Sequence, residues 1–478
     1  MNPLSIFAAA ESHPDALAVI ENGVHISYRE LAARSARVAS TLAQRNLLSS
    51  REPLGVVVRP TLASLELVHA LIAARVPILL IQPALPRTER IRLVERAGAR
   101  ALLCPDEEPL AQAPSGELAI DRAEDLSLPL AIVPTSGSTG TPKLVVLSRG
   151  AFVASAEASA RNLPLSQRDR WLLCLPPAHV GGFSIITRSL LAKSAVLAFD
   201  PSPRGLVESL PELARAVSEN HVSVVSLVPT LLDALLTKLP DWSVPSAVRA
   251  VLVGGAALSS AVLERSRARG VPVLTTYGLT EACSQVTTTK AGTWPNTRDG
   301  LVSSGAPLPG VELRLGDGAR IDVRSKTLCS SYFDGQAPFD ADGWFMTEDR
   351  GYIDERGELY VLGRISDLIV TGGENVDPLR VEAALAAAPG VLSAIVFGVP
   401  DPRYGEVVAC GLVTSDAFEP QRVSAFLRER LARHELPRRF ARLSKFAALP
   451  NGKINRAGVR SQSLALLELF EHAHFEKL

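Results

Sequence analysis

Short apolar segments that alternate with helical segments restrict the fold of this sequence more than any other feature. Residues 222–229 form a mostly apolar run, which leads into a predicted helix over residues 230–238. Residues 249–254 form a second run, followed by a predicted helix over 259–269 and a strand over 271–277. Apolar strands that alternate with helices are typical of a parallel sheet covered on both faces. The sequence therefore predicts an α/β fold.

The N-terminal part of the chain continues this alternation. Ser27 and Glu30 have the spacing of a capping box, so we expect a helix to begin at Ser27. Residues 54–58 predict a strand and residues 65–74 a helix. The most apolar stretch, residues 65–85, is interrupted by histidine, arginine and two prolines. It therefore favours a helix followed by a buried strand over a membrane span.

The alternation of apolar strands and helices stops after Cys329, and the C-terminal part has a different pattern. Residues 352–362 predict a hairpin, and Asp377 followed by proline predicts the start of a helix. A basic helix is expected over residues 422–436. A chain of 478 residues is too long for one ordinary core, so two or three compact units are expected.

We place a domain boundary near residue 364. Residues 1–363 are predicted to form a large N-terminal α/β domain, with mainly parallel sheets flanked by helices. Residues 364–478 are predicted to form a smaller α+β C-terminal domain.

Composition and charge exclude several classes of protein. Lys plus Arg and Asp plus Glu both number 50, so no excess of cations exists to displace the counterions of nucleic acid. The five cysteines have neither zinc-site nor disulfide spacing, and the N-terminus lacks the pattern of a signal peptide. We therefore expect a cytoplasmic protein that does not bind nucleic acid or insert into a membrane. The sequence leaves the oligomeric state open, a homodimer included.

A loop rich in glycine and hydroxyl groups follows the apolar segment 128–133. Its glycines allow backbone N–H groups to turn toward an anion, and its lysine adds positive charge. The order of residues differs from that of a Walker A loop. The predicted polyphosphate-binding residues are Thr135, Ser136, Gly137, Ser138, Thr139, Gly140 and Lys143. A solvated Gly/Ser turn is the alternative that these residues leave open.

Further motifs follow the loop in a set order. They are residues 277–281 (YGLTE), 347–352 (TEDRGY), 363–364, 372–373 and 450–453 (PNGK). Together with the loop they resemble the adenylate-forming superfamily of acyl-CoA synthetases, luciferases and nonribosomal adenylation domains. The resemblance spans nearly the full chain. It implies ATP-dependent activation of a carboxylic acid, with a mobile C-terminal lid domain.

Within this superfamily, several stretches are similar to the o-succinylbenzoate–CoA ligases of menaquinone synthesis. They are residues 171–176, 179–184, 188–190, 277–285 and 372–376. The resemblance implies an acid–CoA ligase that forms an acyl-adenylate and then a thioester, acting on an aromatic acid such as o-succinylbenzoate. Another aryl or alkyl acid, a carrier-protein thiol in place of coenzyme A, and a nucleotide-binding scaffold without turnover stay open.

The resemblance also implies roles in catalysis. Lys453 would bridge the acid carboxylate and the α-phosphate of ATP, and Glu281 would bind Mg²⁺. Thr280 would bond a phosphate, and His179 would border the acid and gate its pocket. Without the resemblance, a surface lysine, a helix-start glutamate and a structural histidine are the alternatives.

The implied nucleotide site includes one departure from the superfamily pattern. Tyr277 would stack on adenine, Asp349 would accept from the ribose hydroxyls, and Arg364 would reach the ribose or a phosphate. Glu348 occupies the position where the superfamily usually has glycine. The predicted nucleotide-binding residues outside the loop are Gly255, Ala256, Thr276, Tyr277, Gly278, Thr280, Asp349 and Arg364.

The remaining implied sites concern the acid and the thiol. The predicted acid-binding residues are His179, Gly254, Gly255 and Ser284, and Gly372 and Gly373 would line the channel for coenzyme A. The lid would pivot at Ser366 or Asp367. A second carboxylate on the acid would need a cation, for which Arg188 is a candidate; a helix-surface arginine is the alternative.

Overall fold

The computed structural model describes residues 3–49, 51–108, 110, 125–135, 142–333, 335, 339–448 and 453–470. The described residues form one sheet of nine strands, two of six, one of four and one of two. The α-helices are α1 (Ile6–Ser12), α2 (Tyr28–Gln44), α3 (Leu62–Ala74), α4 (Arg87–Arg96), α5 (Arg149–Asn162), α6 (Val180–Ala192), α7 (Leu210–Glu219), α8 (Pro229–Lys238), α9 (Ser260–Ala268), α10 (Pro378–Ala386), α11 (Pro420–Arg428) and α12 (Arg456–Leu464). Short 3₁₀ helices cover Thr280–Ala282, Asp317–Ala319 and Ile365–Asp367.

The strands are β1 (Leu17–Glu21), β2 (Val24–Ser27), β3 (Leu54–Val57), β4 (Ile78–Ile81), β5 (Leu102–Leu103), β6 (Pro129–Thr135), β7 (Lys143–Ser148), β8 (Arg170–Leu173), β9 (Ala195–Ala198), β10 (Val224–Leu227), β11 (Ala250–Gly254), β12 (Val273–Leu279), β13 (Ser284–Thr288), β14 (Thr297–Arg298), β15 (Leu301–Val302), β16 (Ala306–Pro307), β17 (Val311–Leu315), β18 (Arg320–Ser325), β19 (Ser331–Tyr332), β20 (Phe345–Ile353), β21 (Leu359–Arg364), β22 (Ile369–Thr371), β23 (Glu374–Val376), β24 (Val391–Asp401), β25 (Gly405–Thr414), β26 (Arg439–Arg442) and β27 (Glu468–Leu469).

The largest sheet has nine strands in the order β16-β13-β12-β11-β10-β8-β9-β1-β2. Its centre, from β12 to β1, is parallel, and antiparallel pairs lie at both edges. The second large sheet has the order β19-β7-β6-β4-β3-β5, with parallel pairs among β6, β4, β3 and β5. The prediction of an α/β fold with largely parallel sheets is confirmed for these two sheets.

Helices fill the space between the two large sheets. Apolar side chains of α2, α3, α5 and α6 join one face of each sheet in a single core. Phe152 of α5 and Phe183 of α6 meet edge to face there, with ring centroids 5.2 Å apart. The outer face of the nine-stranded sheet packs against α7, α8 and α9, and that of the second sheet against α4. Both sheets are therefore covered on both faces, as their uninterrupted apolar strands require.

A third, fully antiparallel sheet (β17-β18-β20-β21) follows, and its last strand ends at Arg364. A separate sheet begins at Ile369 and packs with α10 and α11 around its own core. This sheet is mostly antiparallel, so the C-terminal unit is α+β as predicted.

Most sequence-predicted elements are present, with shifts at their ends. Ser27 and Glu30 form the predicted capping box at the start of α2. The stretch 65–85 contains most of α3 followed by β4, as expected. The predicted basic helix over 422–436 is wrong at its C-terminal end, because α11 stops at Arg428. Among the described residues, no helix has both the length and the apolar character that crossing a membrane requires.

Candidate active site

Several of the predicted site residues lie where β11 and β12 end, at the carboxyl edge of the nine-stranded sheet. Ligands of open α/β sheets bind at this edge. Gly254 ends β11, and Gly255 and Ala256 follow it as exposed residues. Residues 276–278 belong to β12, and Thr280 begins the 3₁₀ helix after it.

Lys453 comes to this edge from the C-terminal unit. A Cβ atom on Gly255, whose φ is +80°, would lie 2.8 Å from Lys453 Cε and 3.2 Å from its Nζ. Burial lowers the pKa of Lys453, the charge of Arg364 lowers it further, and Asp349 raises it. The lysine therefore lies beside the two residues predicted to bind ribose, although it is 89 residues from Arg364 in sequence (453 − 364).

Asp349 and Tyr277 are joined by a hydrogen bond. Tyr277 Oη donates to Asp349 Oδ2 at 2.7 Å, and Arg364 Nε lies 3.6 Å from Asp349 Oδ1. Asp349 N donates to Thr347 Oγ1, which fixes the backbone at the carboxylate. Burial raises the pKa of Asp349, while Tyr277 and Arg364 lower it. The strand β20 thus presents one oriented carboxylate to the site.

Glu281 has a partner that sequence reasoning missed. Tyr332 Oη donates to Glu281 Oε1 at 3.1 Å, and Lys143 Nζ lies 5.2 Å from the centre of the Tyr332 ring. Burial raises the pKa of Glu281, and both Tyr332 and Lys143 lower it. Tyr332 belongs to β19, which pairs with β7 at the edge of the second sheet. The pairing of β19 with β7 brings Tyr332 to Glu281. Such a long-range contact leaves no local motif in the sequence.

The surroundings of Glu281 fit a magnesium ion held largely by its substrate. The described part of the chain has no group of three or more His, Cys, Asp and Glu side chains that could cage a metal. Mg²⁺ usually binds one or two carboxylates and completes its shell with phosphate oxygens and water. Glu281 supplies one buried carboxylate beside Lys143, a residue of the phosphate loop.

His179 is held by Gln82, a second partner that sequence reasoning missed. The two Nε2 atoms lie 2.8 Å apart. This hydrogen bond fixes the orientation of the imidazole ring. Burial and the charge of Lys453 lower the pKa of His179 to about 4. The imidazole is therefore neutral at physiological pH, and it lies close enough to Lys453 to sense its charge.

Arg188 is buried on α6, so the alternative of a helix-surface arginine is wrong. Its side chain is only 5% exposed, because α6 packs between α5 and the sheet. Its Nη2 donates to Ser155 Oγ at 3.2 Å, and its guanidinium lies 5.8 Å from the centre of the Trp171 ring. Within the described ranges its Nε has no hydrogen-bond partner, and no carboxylate contributes to the pKa of Arg188, which burial lowers. A buried cation without a counter-charge is costly, which points to a ligand as the partner.

Two of the predicted glycines permit close backbone contacts. A Cβ on Gly254 would lie 2.7 Å from Thr276 Cγ2, and one on Gly278 would lie 1.8 Å from the Ser284 carbonyl oxygen. Thr276 Oγ1 donates to the Thr287 carbonyl within the sheet. At residues 254, 276 and 278, packing between strands therefore accounts for the residue types.

The phosphate loop is only partly described. Thr135 ends β6 and Lys143 begins β7, so the two strands bracket the loop. Ser136, Gly137, Ser138, Thr139 and Gly140 lie outside the described residues.

Gly372 and Gly373 form the turn between β22 and β23. Both have positive φ, of 60° and 87°. A Cβ on Gly372 would lie 3.3 Å from the Tyr404 ring, and one on Gly373 would meet open space. The Arg438 guanidinium lies 4.0 Å from the centre of the Tyr404 ring, and that of Arg403 lies 5.2 Å from it. An aromatic and basic surface therefore adjoins the turn. No sequence motif predicted this surface.

The chain matches two families over most of its length. Residues 6–324 match the family described as AMP-binding enzyme, and residues 380–453 match the AMP-binding enzyme C-terminal domain. The chain is 32% identical to the 2-succinylbenzoate–CoA ligase of Bacillus velezensis, over 95% of this chain and 96% of the relative. The corresponding ligase of Bacillus subtilis is 29% identical, over 95% and 96%.

Solved structures give the same result. The chain superposes on o-succinylbenzoate CoA synthetase (MenE) from Bacillus subtilis with the acyl-adenylate OSB-AMP, with a TM-score of 0.82, 28% identity and coverage of 96% and 98%. For the same protein with ATP and magnesium ion, the TM-score is 0.83 and the identity 29%, with coverage of 96% and 99%. The chain therefore belongs to the AMP-binding enzyme family, within the adenylate-forming superfamily that its motifs resemble.

Proposed function

We propose that this protein is an ATP-dependent acid–CoA ligase, which converts o-succinylbenzoate first into an acyl-adenylate and then into a coenzyme A thioester. The observation that carries the proposal is the position of Lys453, which lies against Gly255 beside Asp349 and Arg364. An ammonium group at the carboxyl edge of the sheet, where ligands of α/β folds bind, is placed to meet anionic ligands. The names of the relatives above support the choice of acid and thiol.

In the first half-reaction, the acid carboxylate attacks the α-phosphorus of ATP and pyrophosphate leaves. Two anions must approach each other, so a fixed positive charge between them lowers the barrier. Lys453 would supply that charge. Asp349 would accept from the ribose hydroxyls, with Tyr277 and Arg364 fixing its orientation. Lys143 and the loop before it would hold the β- and γ-phosphates.

Bound magnesium would neutralise phosphate charge and orient the leaving pyrophosphate. Glu281 would hold the ion through the oxygen that does not accept from Tyr332. Thr280, which directly precedes Glu281 in the chain, would form a hydrogen bond to a phosphate oxygen.

The acid would lie between the end of β11 and the start of α6. His179, neutral and oriented by Gln82, would border it together with Gly254, Gly255 and Ser284. The buried Arg188 cation would meet the second carboxylate of o-succinylbenzoate and so select a dicarboxylic acid. A neutral histidine beside the acid adds no second cation to compete with Lys453.

In the second half-reaction, the thiol of coenzyme A attacks the adenylate carbonyl and AMP leaves. We propose that residues 364–478 move as a lid against residues 1–363, with the pivot at Ser366 or Asp367 in the 3₁₀ helix Ile365–Asp367. Gly372 and Gly373 would then line the thiol channel. Tyr404 with Arg403 and Arg438 would receive the adenine and phosphates of coenzyme A, which need a ring to stack on and cations.

The five unpaired cysteines suit a cytoplasmic location.

The experiment is a measurement of AMP release with a panel of acids, each with coenzyme A and with phosphopantetheinylated carrier proteins. We expect turnover with o-succinylbenzoate and free coenzyme A. Turnover only with a carrier protein would show that the carrier, and not coenzyme A, supplies the thiol. Preference for a monocarboxylic acid would show that o-succinylbenzoate is not the substrate. Absence of acid-dependent pyrophosphate exchange across the whole panel would contradict the proposed enzyme.

A further inference from the structure

Glu348 forms an ion pair with a residue of the phosphate loop. Its Oε1 lies 3.6 Å from Lys143 Nζ, and the two side chains are 51% and 40% exposed. Lys143 begins β7, on the second sheet, whereas Glu348 lies within β20 of the antiparallel sheet. The pair therefore joins two different sheets, next to Asp349 in sequence and beside Tyr332 in space.

The charge of Glu348 also acts on the neighbouring site residues. It raises the pKa of Asp349 and that of Tyr332, which donates to Glu281. A nucleotide that enters therefore approaches a site in which Glu281 and Glu348 lie near Lys143, and Asp349 lies near both carboxylates. The phosphates of ATP and the carboxylate of Glu348 are both anions within reach of the same ammonium group.

The free energies of the two interactions favour transfer of Lys143 from Glu348 to the phosphates over a permanent Lys143–Glu348 ion pair. A solvent-exposed ion pair contributes about 0–1 kcal/mol, so little free energy opposes its opening. A polyphosphate with magnesium offers the lysine several charged oxygens in place of one carboxylate. If Lys143 turned to the phosphates, the Glu348 carboxylate would be left beside them and would repel them. Competition for Lys143 and repulsion by Glu348 both weaken the binding of any ligand that carries β- and γ-phosphates.

We propose that Glu348 is an exchange partner of Lys143: it holds the lysine in the empty site, yields it to the phosphates of ATP, and recovers it as pyrophosphate leaves. It is a positioning residue, since it acts through Lys143. Its carboxylate weakens the binding of ATP and pyrophosphate and leaves that of AMP unchanged. This inference rests on the proposed function, because it needs a triphosphate in the site.

The test measures dissociation constants of ATP, pyrophosphate and AMP by calorimetry, with magnesium, for the full chain. Glu348→Gln keeps the size of the side chain and removes its charge. We expect ATP and pyrophosphate to bind about 3- to 5-fold more tightly, the effect of losing one exposed charge contact, while AMP binding stays the same. In a Lys143→Ala background, the part of this gain that comes from competition for Lys143 should disappear, so Glu348→Gln should increase the affinity by a smaller factor.

Glu355→Gln is the matched control, since Glu355 is an exposed glutamate paired with Arg298 at the turn of the hairpin that contains Glu348. It should change none of the three constants. Unchanged or weaker binding of ATP in Glu348→Gln, or an equal gain for AMP, would overturn the inference and leave the proposed function intact. Failure of the unmodified protein to bind ATP would instead contradict the proposed function.

Discussion

Arg350 donates to the carboxylate of Asp377, which is the N-cap residue of α10, and the aspartate makes no side-chain cap bond to its own helix. The two side chains are only 15% and 22% exposed. Burial raises the pKa of Asp377, and Arg350 lowers it. Arg350 lies in β20, and Asp377 begins α10 of the C-terminal unit. This half-buried ion pair therefore joins the C-terminal unit to the antiparallel sheet in the arrangement in which Lys453 lies against Gly255.

Asp377→Asn should shift the lid away from this arrangement. Removing one member of a buried ion pair leaves the other charge without compensation, so the closed arrangement loses stability. We expect acid-dependent pyrophosphate exchange to fall roughly tenfold, equivalent to ~1.4 kcal/mol, while thiolysis of supplied acyl-AMP is maintained or faster. Glu312→Gln, which breaks an exposed pair with Arg324 inside one sheet, is the control. Equal losses in both half-reactions would contradict this role.

Gly255→Ala should impair the first half-reaction, because the added Cβ would displace Lys453. Gly357→Ala is a matched control, since Gly357 has a similar φ of +77° and open space around its Cα. The backbone strain common to both variants then cancels. We expect pyrophosphate exchange to fall well below that of Gly357→Ala, with similar thermal stability. Equal rates in the two variants would show that Lys453 does not need this space.

Tyr332→Phe should make the affinity for magnesium more sensitive to acid. Burial already raises the pKa of Glu281, and the hydrogen bond from Tyr332 lowers it. Magnesium needs the carboxylate, so its affinity is lost as the pH falls through that pKa. Removing the hydroxyl raises the pKa further, and the acidic limb of kcat/KM for MgATP should move to higher pH. Tyr352→Phe is the control; a shift to lower pH in Tyr332→Phe would contradict the assignment.

Arg188→Met should separate substrate binding from stability. Replacing a buried, uncompensated charge with an apolar side chain is often neutral or stabilising, so Tm should stay the same or rise. Loss of a charged hydrogen bond should raise KM for o-succinylbenzoate about 10- to 100-fold. KM for 4-oxo-4-phenylbutanoate, which lacks one carboxylate, should change little, and Arg188→Lys should restore part of the loss. Equal changes for both acids would exclude this role for Arg188.

The sequence predicted those features that arise from local patterns. The capping box at Ser27, the apolar strands β10 and β11 and the start of α10 each depend on residues close together in the chain. The order of motifs likewise indicated which residues belong to one site, and the structure places Lys453, Asp349 and Arg364 together.

Contacts set by strand pairing and domain packing had no such signal. Tyr332 reaches Glu281 through the pairing of β19 with β7, and Gln82 reaches His179 across 97 residues. The burial of Arg188 follows from the packing of α6 against α5, which no motif encodes. These partners decide protonation and orientation, so the sequence pattern predicts candidate residues but not the contacts that set their orientation.

The most direct test of the account measures the two half-reactions separately in Lys453→Ala. If Lys453 bridges the carboxylate and the α-phosphate, its loss should raise the free-energy barrier of adenylation by roughly 3–4 kcal/mol, as after loss of one oxyanion donor. The rate of acid-dependent pyrophosphate exchange should fall accordingly. Thiolysis of supplied o-succinylbenzoyl-AMP by coenzyme A should continue at a rate close to that of the unmodified protein. Pyrophosphate exchange that survives the substitution, or an equal loss of both half-reactions, would contradict the central role given to this lysine.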